Sequence, residues 1–224
     1  MGRMVRIGSV EGYLGRPAGE GPWPTVIVIQ EWWGLSNQIE SIVDRFSGLP
    51  SPYFAFAPDL FHGELALLGD NDKARALSQK YGPTAAQDLF MAFDALKNHQ
   101  DSTGKIGSVG FCYGGRMSLV LGANRPVDAI CTFYGGGMQQ VFDQLNRLKA
   151  PVLGLYGDQD KSIPQGTIEE FDKLLDEVGV QHEVVVYPNS GHAFFRDNDP
   201  NAYRPEAAKA ACKRVQKFFA KYLQ

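Results

Sequence analysis

The chain has 224 residues, 44% of them hydrophobic, and 22 Lys+Arg against 25 Asp+Glu give a formal net charge of −3. That length supports one sizeable core and a single domain over residues 1–224. The near-balanced charge without a basic run argues against nucleic acid as a partner, and no apolar stretch approaches a membrane span, which argues against a membrane partner.

Three cysteines, Cys112, Cys131 and Cys212, form no C-x-x-C and cannot all pair. This argues against a disulfide framework or a zinc site and suits a reducing compartment. The first residues, Met1 to Arg6, lack the apolar core and cleavage site of a signal peptide. The expectation is a cytoplasmic protein that needs no cofactor.

In chain order, Val5-Arg6-Ile7 and the region of Gly12-Tyr13-Leu14 predict a short antiparallel start, and the Gly- and Pro-rich stretch from Gly15 to Pro24 a loop. Thr25 to Ile29 is a continuous β-branched run, the pattern of a strand buried on both faces. It runs into Gln30-Glu31-Trp32-Trp33-Gly34, a loop at the strand's carboxyl end. Asn37 and Glu40 are spaced as a capping box, ahead of a helical stripe of Ile39, Ile42, Val43 and Phe46. Tyr53 to Ala57 predicts a strand stopped by Pro58-Asp59. From Leu60 to Gly82 the pattern is irregular, with a short helix around Asp72 to Lys80, and the segment is suited to roof a pocket. Thr84 and Gln87 are spaced as a second capping box before the stripe Leu89, Ala92, Phe93 and Leu96. Further strands are expected at Lys105 to Phe111, Val127 to Tyr134, Pro151 to Tyr156 and Glu183 to Tyr187. Helices are expected after Tyr113, over Ile168 to Val178 with Gly179 closing it, and from Pro205 onward. Strand and helix alternate throughout, which implies an α/β fold with a mainly parallel central sheet and helices on both faces. In such sheets ligands bind beyond the carboxyl ends of the strands.

One stretch carries the chemistry. Gly110-Phe111-Cys112-Tyr113-Gly114-Gly115 joins a predicted strand to a predicted helix and has the G-x-nucleophile-x-G form, with Cys where Ser is commoner. An abrupt strand-to-helix turn forces its central residue into a strained backbone, and neighbours bearing a Cβ would collide, hence Gly110 and Gly114. The turn sets Cys112 over the positive end of the following helix, which favours a thiolate. By itself the pattern fits a buried structural cysteine equally well. The residues that follow tip the balance. Nucleophile, then acid, then His is the chain order of the α/β-hydrolase triad. Two carboxylates, Asp158 and Asp160, compete in the turn Gly157 to Pro164; Asp160 is favoured, because Asp158 suits the satisfaction of turn amides. His192, after the last predicted strand, is the base; His62, His99 and His182 fall where solvated or capping roles are the default. Oxyanion donors are expected from the N–H of Tyr113, just after the nucleophile, and of Trp32.

With these residues in place, the chain resembles the dienelactone hydrolase family (carboxymethylenebutenolidases) over nearly its whole length. The matching motifs are Gln30-Glu31-x-x-Gly34, Gly110-x-Cys112-x-Gly114-Gly115, Gly157-x-Gln159-Asp160-x-x-x-Pro164 and Gly191-His192-x-Phe194-x-Arg196. The resemblance implies an α/β-hydrolase fold and Asp160 as the acid. It also implies that Glu31 contacts the thiol until substrate displaces it, and that Glu31 can pair with Arg196, which anchors a substrate carboxylate. Tyr134 matches a pocket Tyr. The family's second anchoring Arg falls in the 60–82 segment, where Arg75 is the only Arg, at a different spacing from Tyr81; a Ser beside the family's His is Ala193 here. The implied activity is hydrolysis of lactones or esters, small molecules carrying a carboxylate, by a monomer or small homo-oligomer. A general small-ester or thioester hydrolase of the same fold is the alternative, and a non-catalytic binding protein that keeps the fold is a further one.

Overall fold

The computed structural model describes residues 1–224. Its eight strands are β1 (Arg3–Ile7), β2 (Val10–Gly15), β3 (Trp23–Ile29), β4 (Phe54–Pro58), β5 (Ser102–Phe111), β6 (Ala129–Phe133), β7 (Val152–Gly157) and β8 (His182–Tyr187). They form one sheet in the order β1-β2-β4-β3-β5-β6-β7-β8. The two pairings made by β2 are antiparallel, and every other pairing is parallel. Val26, Ile27, Val28 and Ile29 of β3 are all fully buried, as expected of a β-branched run covered on both faces.

Five helices cover the sheet: α1 (Asn37–Ser47), α2 (Asn71–Lys97), α3 (Tyr113–Asn124), α4 (Gln165–Val178) and α5 (Pro205–Leu223). The rings of Phe46 in α1 and Phe219 in α5 meet at 5.9 Å, so these two helices share a face. Helix α3 packs against α2 and against a 3₁₀ segment, Met138–Arg147, that the sequence pattern does not announce. Pro205 opens α5, and Gly179, at φ 75°, closes α4 in the left-handed conformation that its lack of a Cβ allows.

Neither expected capping box forms. Helix α1 begins one residue earlier than Asn37 would require: Ser36 is its N-cap, with no side-chain bond, and Asn37 becomes the first helical residue, where a side chain cannot cap. Thr84 lies inside α2, and its hydroxyl donates to the Tyr81 carbonyl at 3.2 Å instead. Helix α2 runs for 27 residues straight past Pro83, so the short helix expected at 72–80 is its first part. A proline removes one backbone bond and crowds the preceding turn. Here burial of Ala74 and Leu77 before it, and of Ala85 and Leu89 after it, keeps both halves against the core.

The elbow between β5 and α3 fixes where everything else must go. A Cβ on Gly110 would lie 1.9 Å from the Gly114 carbonyl oxygen, and one on Gly114 would lie 2.3 Å from the Ile29 carbonyl oxygen. Gly110→Ala should therefore cost more than about 4 kcal/mol or abolish folding. By contrast, Gly166 of α4 has open space around it, so Gly166→Ala should stabilise by up to about 1 kcal/mol. Chemical denaturation of both variants checks the pair of signs.

Candidate active site

Cys112 caps α3 with φ 52° and ψ −113°, a conformation that strains any residue with a side chain. Its N–H donates to the Phe133 carbonyl at 3.0 Å, and its own carbonyl accepts from Gly136 N–H at 3.0 Å, so β6 and the loop after it hold the elbow rigid. Gly136 lies beside the Cys112 sulfur, from which a Cβ at that position would stand 3.4 Å. Tyr134 and Ala193, at φ 36° and 61°, are the other strained residues beside it.

His192 and Asp160 arrive on neighbouring strands, β8 and β7, whose ends pair Gly157 with Tyr187. His192 Nδ1 lies 2.6 Å from Asp160 Oδ2, leaving Nε2 for other partners. Burial opposes the imidazolium, yet the hydrogen bonds to Asp160 and to the Cys112 thiol outweigh it and push His192 up to about 10. Asp160 is buried as well, which alone would raise its carboxyl; the bonds from His192 and Ser162 win and hold it below its usual range. Asp158 turns elsewhere: its Oδ1 accepts from Ser190 N–H at 3.2 Å, bracing the two loops.

Ser162 is a member of this cluster to which the motif assigned nothing. Its hydroxyl donates to Asp160 Oδ1 at 2.6 Å and lies 3.0 Å from His192 Nδ1, while its N–H reaches the same Oδ1 at 2.9 Å. A hydroxyl two residues beyond an acid, in the tight turn that feeds a helix, is the signal that points to it.

Glu31 and Arg196 meet in the interior. The guanidinium Nε and Nη2 donate to Glu31 Oε2 at 3.0 and 2.5 Å, with the two residues 4% and 7% exposed. Of the two contacts expected of Glu31, the structure brings it to Arg196. Burial pushes the Glu31 carboxyl up against the pull of Arg196. The Gln30 side chain beside it accepts from Leu60 N–H at 3.1 Å, tying down the loop that follows β4.

The Glu31–Gly34 turn closes through a Gly34 N–H bond to the Glu31 carbonyl at 3.2 Å, and leaves the Trp32 amide without a backbone acceptor. Tyr113, first residue of α3, presents one of the amides that a helix start leaves unpaired. The buried Tyr134 ring stands 5.1 Å from His192. Arg75 is not brought to this cluster. It is exposed on the outer face of α2 and pairs with Asp72 at 3.2 Å, because the continuous helix turns that position toward solvent. Tyr81 lies nearer: it stacks on Phe61, which in turn meets the Tyr113 ring at 5.9 Å, and its hydroxyl donates to Glu64. The other histidines are engaged away from the elbow, His62 with Asp88, His99 in its own turn, and His182 with Val180 and Asp172.

The family model described as "Dienelactone hydrolase family" matches residues 10–223. A Methylorubrum extorquens protein named "Putative carboxymethylenebutenolidase" is 34% identical, over 96% of this chain and 78% of its own length. "Protein usf" of Aquifex pyrophilus is 32% identical over 100% of both chains. The crystal structure of a Klebsiella pneumoniae protein titled "Putative Dienelactone Hydrolase" superposes with a TM-score of 0.84 at 29% identity, covering 99% of each chain.

His192 titrates near 10 folded but near 6.5 unfolded, so its pairing stabilises fully below about pH 6.5 and less as pH rises toward 10. Asp160, held low, contributes above about pH 3.9 and loses its contribution on acidification. Asp160→Asn should bring the NMR titration of the His192 ring down to about 6.5 or lower and flatten the stability loss between about pH 7 and 10. Ser162→Ala should move the same titration in the same direction by a smaller step. An Asp160→Asn titration identical to the wild type would refute the pairing.

Proposed function

The chain belongs to the dienelactone hydrolase family, and from that premise we propose that it hydrolyses lactones or esters through Cys112. A hydrolase of the ester-cleaving class follows from the family; the cysteine nucleophile, the carboxymethylenebutenolidase activity and the carboxylate-bearing substrate are this proposal. The observation that supports it most is the strained Cys112 elbow next to an imidazole already bonded to Asp160 at 2.6 Å. No helix is long and apolar enough to cross a membrane.

In this reading His192, held as an imidazolium, has already taken the thiol proton, and Cys112 Sγ attacks the carbonyl carbon as the thiolate of that ion pair. Asp160 holds the ring through Nδ1 and stabilises the imidazolium. The oxygen that gains charge accepts from the Trp32 and Tyr113 amides. The carbon–oxygen bond then breaks and the imidazolium returns its proton to the leaving oxygen. Water, deprotonated by His192, attacks the thioester, releases the acid and restores the thiol. Arg196 is the anchor for a substrate carboxylate, which would compete with Glu31 for the guanidinium. Tyr134 would wall the pocket beside the imidazole.

One observation favours a broader ester range as a second reading. Arg75 lies on the solvent face of α2 with Asp72 as its partner, which leaves Arg196 as the anchor named so far.

Cys112→Ala should lower kcat/KM for an aryl ester at least about a thousandfold with the fold unchanged by circular dichroism. An unchanged rate would end the nucleophile assignment. Arg196→Ala alone would strand a buried carboxylate at a cost of about 3–5 kcal/mol, so it is best made in a Glu31→Gln background. There it should raise KM for carboxylate-bearing esters far more than for neutral ones; equal increases would remove the anchor.

A further inference from the structure

The guanidinium groups of Arg45, Arg75, Arg125, Arg196 and Arg214 are each met by a carboxylate. That of Arg116 is not. Arg116 lies in the first turn of α3, close behind Cys112 in sequence. Its Nη1 donates to the Gln140 side-chain oxygen at 2.6 Å, and its guanidinium carbon stands 5.4 Å from the centre of the buried Tyr113 ring. An amide and an aromatic face thus hold the planar group, and neither bears a charge that would neutralise it. A guanidinium has a fork of N–H donors that fits a carboxylate. Of that fork, Gln140 takes only Nη1.

Two adjacent glycines locate this charge. A Cβ on Gly136 would stand 3.4 Å from the Cys112 sulfur, and one on Gly137 would stand 2.7 Å from Arg116 Nη1. Consecutive Cα atoms are about 3.8 Å apart, so the sulfur and the guanidinium are separated by at most about 13 Å. The path between them is open to solvent: Cys112, Gly136 and Arg116 are half-buried, and Gly137 and Gln140 are exposed. Arg196 differs in both respects. It is buried, and an anion that reaches it must displace Glu31. At Arg116 an arriving anion meets a cation with no charged rival.

We propose that Arg116 anchors a carboxylate that the substrate carries away from its ester carbonyl, so that the carbonyl reaches Cys112 while the acid group lies beside Gly137. The substrates this selects are esters built on a dicarboxylic acid or on a hydroxy acid, in preference to uncharged esters of the same length. The use of the anchor in catalysis rests on the Cys112 ester-hydrolase reading above; binding of a dicarboxylate does not.

The test uses the full-length protein and two pairs of esters, each pair differing only in one charge. The first is the p-nitrophenyl half-ester of adipic acid and the same ester with its free acid replaced by a primary amide, which varies the acyl half. The second is 6-butyryloxyhexanoate and its primary amide, which varies the alcohol half. Arg116→Gln should lower kcat/KM for the acid of at least one pair about tenfold relative to its amide, mainly through KM, and Arg116→Glu should lower it further. Equal losses for acid and amide in both pairs, or a Glu variant no worse than the Gln variant, would overturn the anchor and leave the catalytic reading intact. Binding is read separately by NMR titration of adipate into Cys112→Ala protein, where adding Arg116→Gln should weaken it about tenfold. Adipate affinity that ignores Arg116→Gln would overturn the site. If the wild type turned over no ester while adipate still bound through Arg116, the catalytic reading would fall and the anion site would stand.

Discussion

The structure depends on a backbone that has no room to be anything else. At the end of β5 the chain reverses into α3 so tightly that Gly110 and Gly114 touch main chain where any larger residue would put a Cβ. That closeness holds Cys112 in a left-handed conformation, and the surrounding amides of β6 and its loop lock it there. Strain of this kind persists only when neighbours over-determine it. Because β5 lies in the middle of the sheet and runs parallel to β3, β6, β7 and β8, the loops after those strands leave from the same edge of the sheet as the elbow.

Two pairs of oppositely charged groups lie near the Cys112 sulfur and differ in character. His192 and Asp160 share a short bond at the rim, with Ser162 closing the third side, so the ring is held in one orientation. Glu31 and Arg196 lie deeper and belong to loops 165 residues apart. Burying such a pair gains little net stability, since desolvation opposes attraction. What it secures is position: the turn bearing the Trp32 amide and the segment bearing His192 are stapled to each other.

Much of this was legible in the residues, and the failures have a common cause. The strands were readable because continuous β-branched runs such as Thr25 to Ile29 have few other uses, and the elbow because steric exclusion leaves its glycines no substitutes. Asp160 over Asp158 was readable from turn chemistry, and Asp158 does brace a turn amide. What escaped was set by contacts distant in sequence. The capping boxes were sound local spacings, but Ser36 opened α1 first, and packing on both sides of Pro83 carried α2 through the second. Arg75 illustrates the same limit, since the way it faces follows from how a helix that continues past Pro83 packs on the core. Ser162 needed the folded turn before its hydroxyl could be seen between an acid and a ring.

The position of β8 has one more implication. It is the last strand of the sheet, paired on one side only, and its central valines, Val184 to Val186, are just half-buried. His192 hangs from this border, and Asp160 from the strand next to it. Borders fray at lower free energy than centres. Warming should thus peel the imidazole away from the Cys112 elbow while the scaffold of that elbow is still intact and most of the protein remains folded, and cooling should re-zip a single seam.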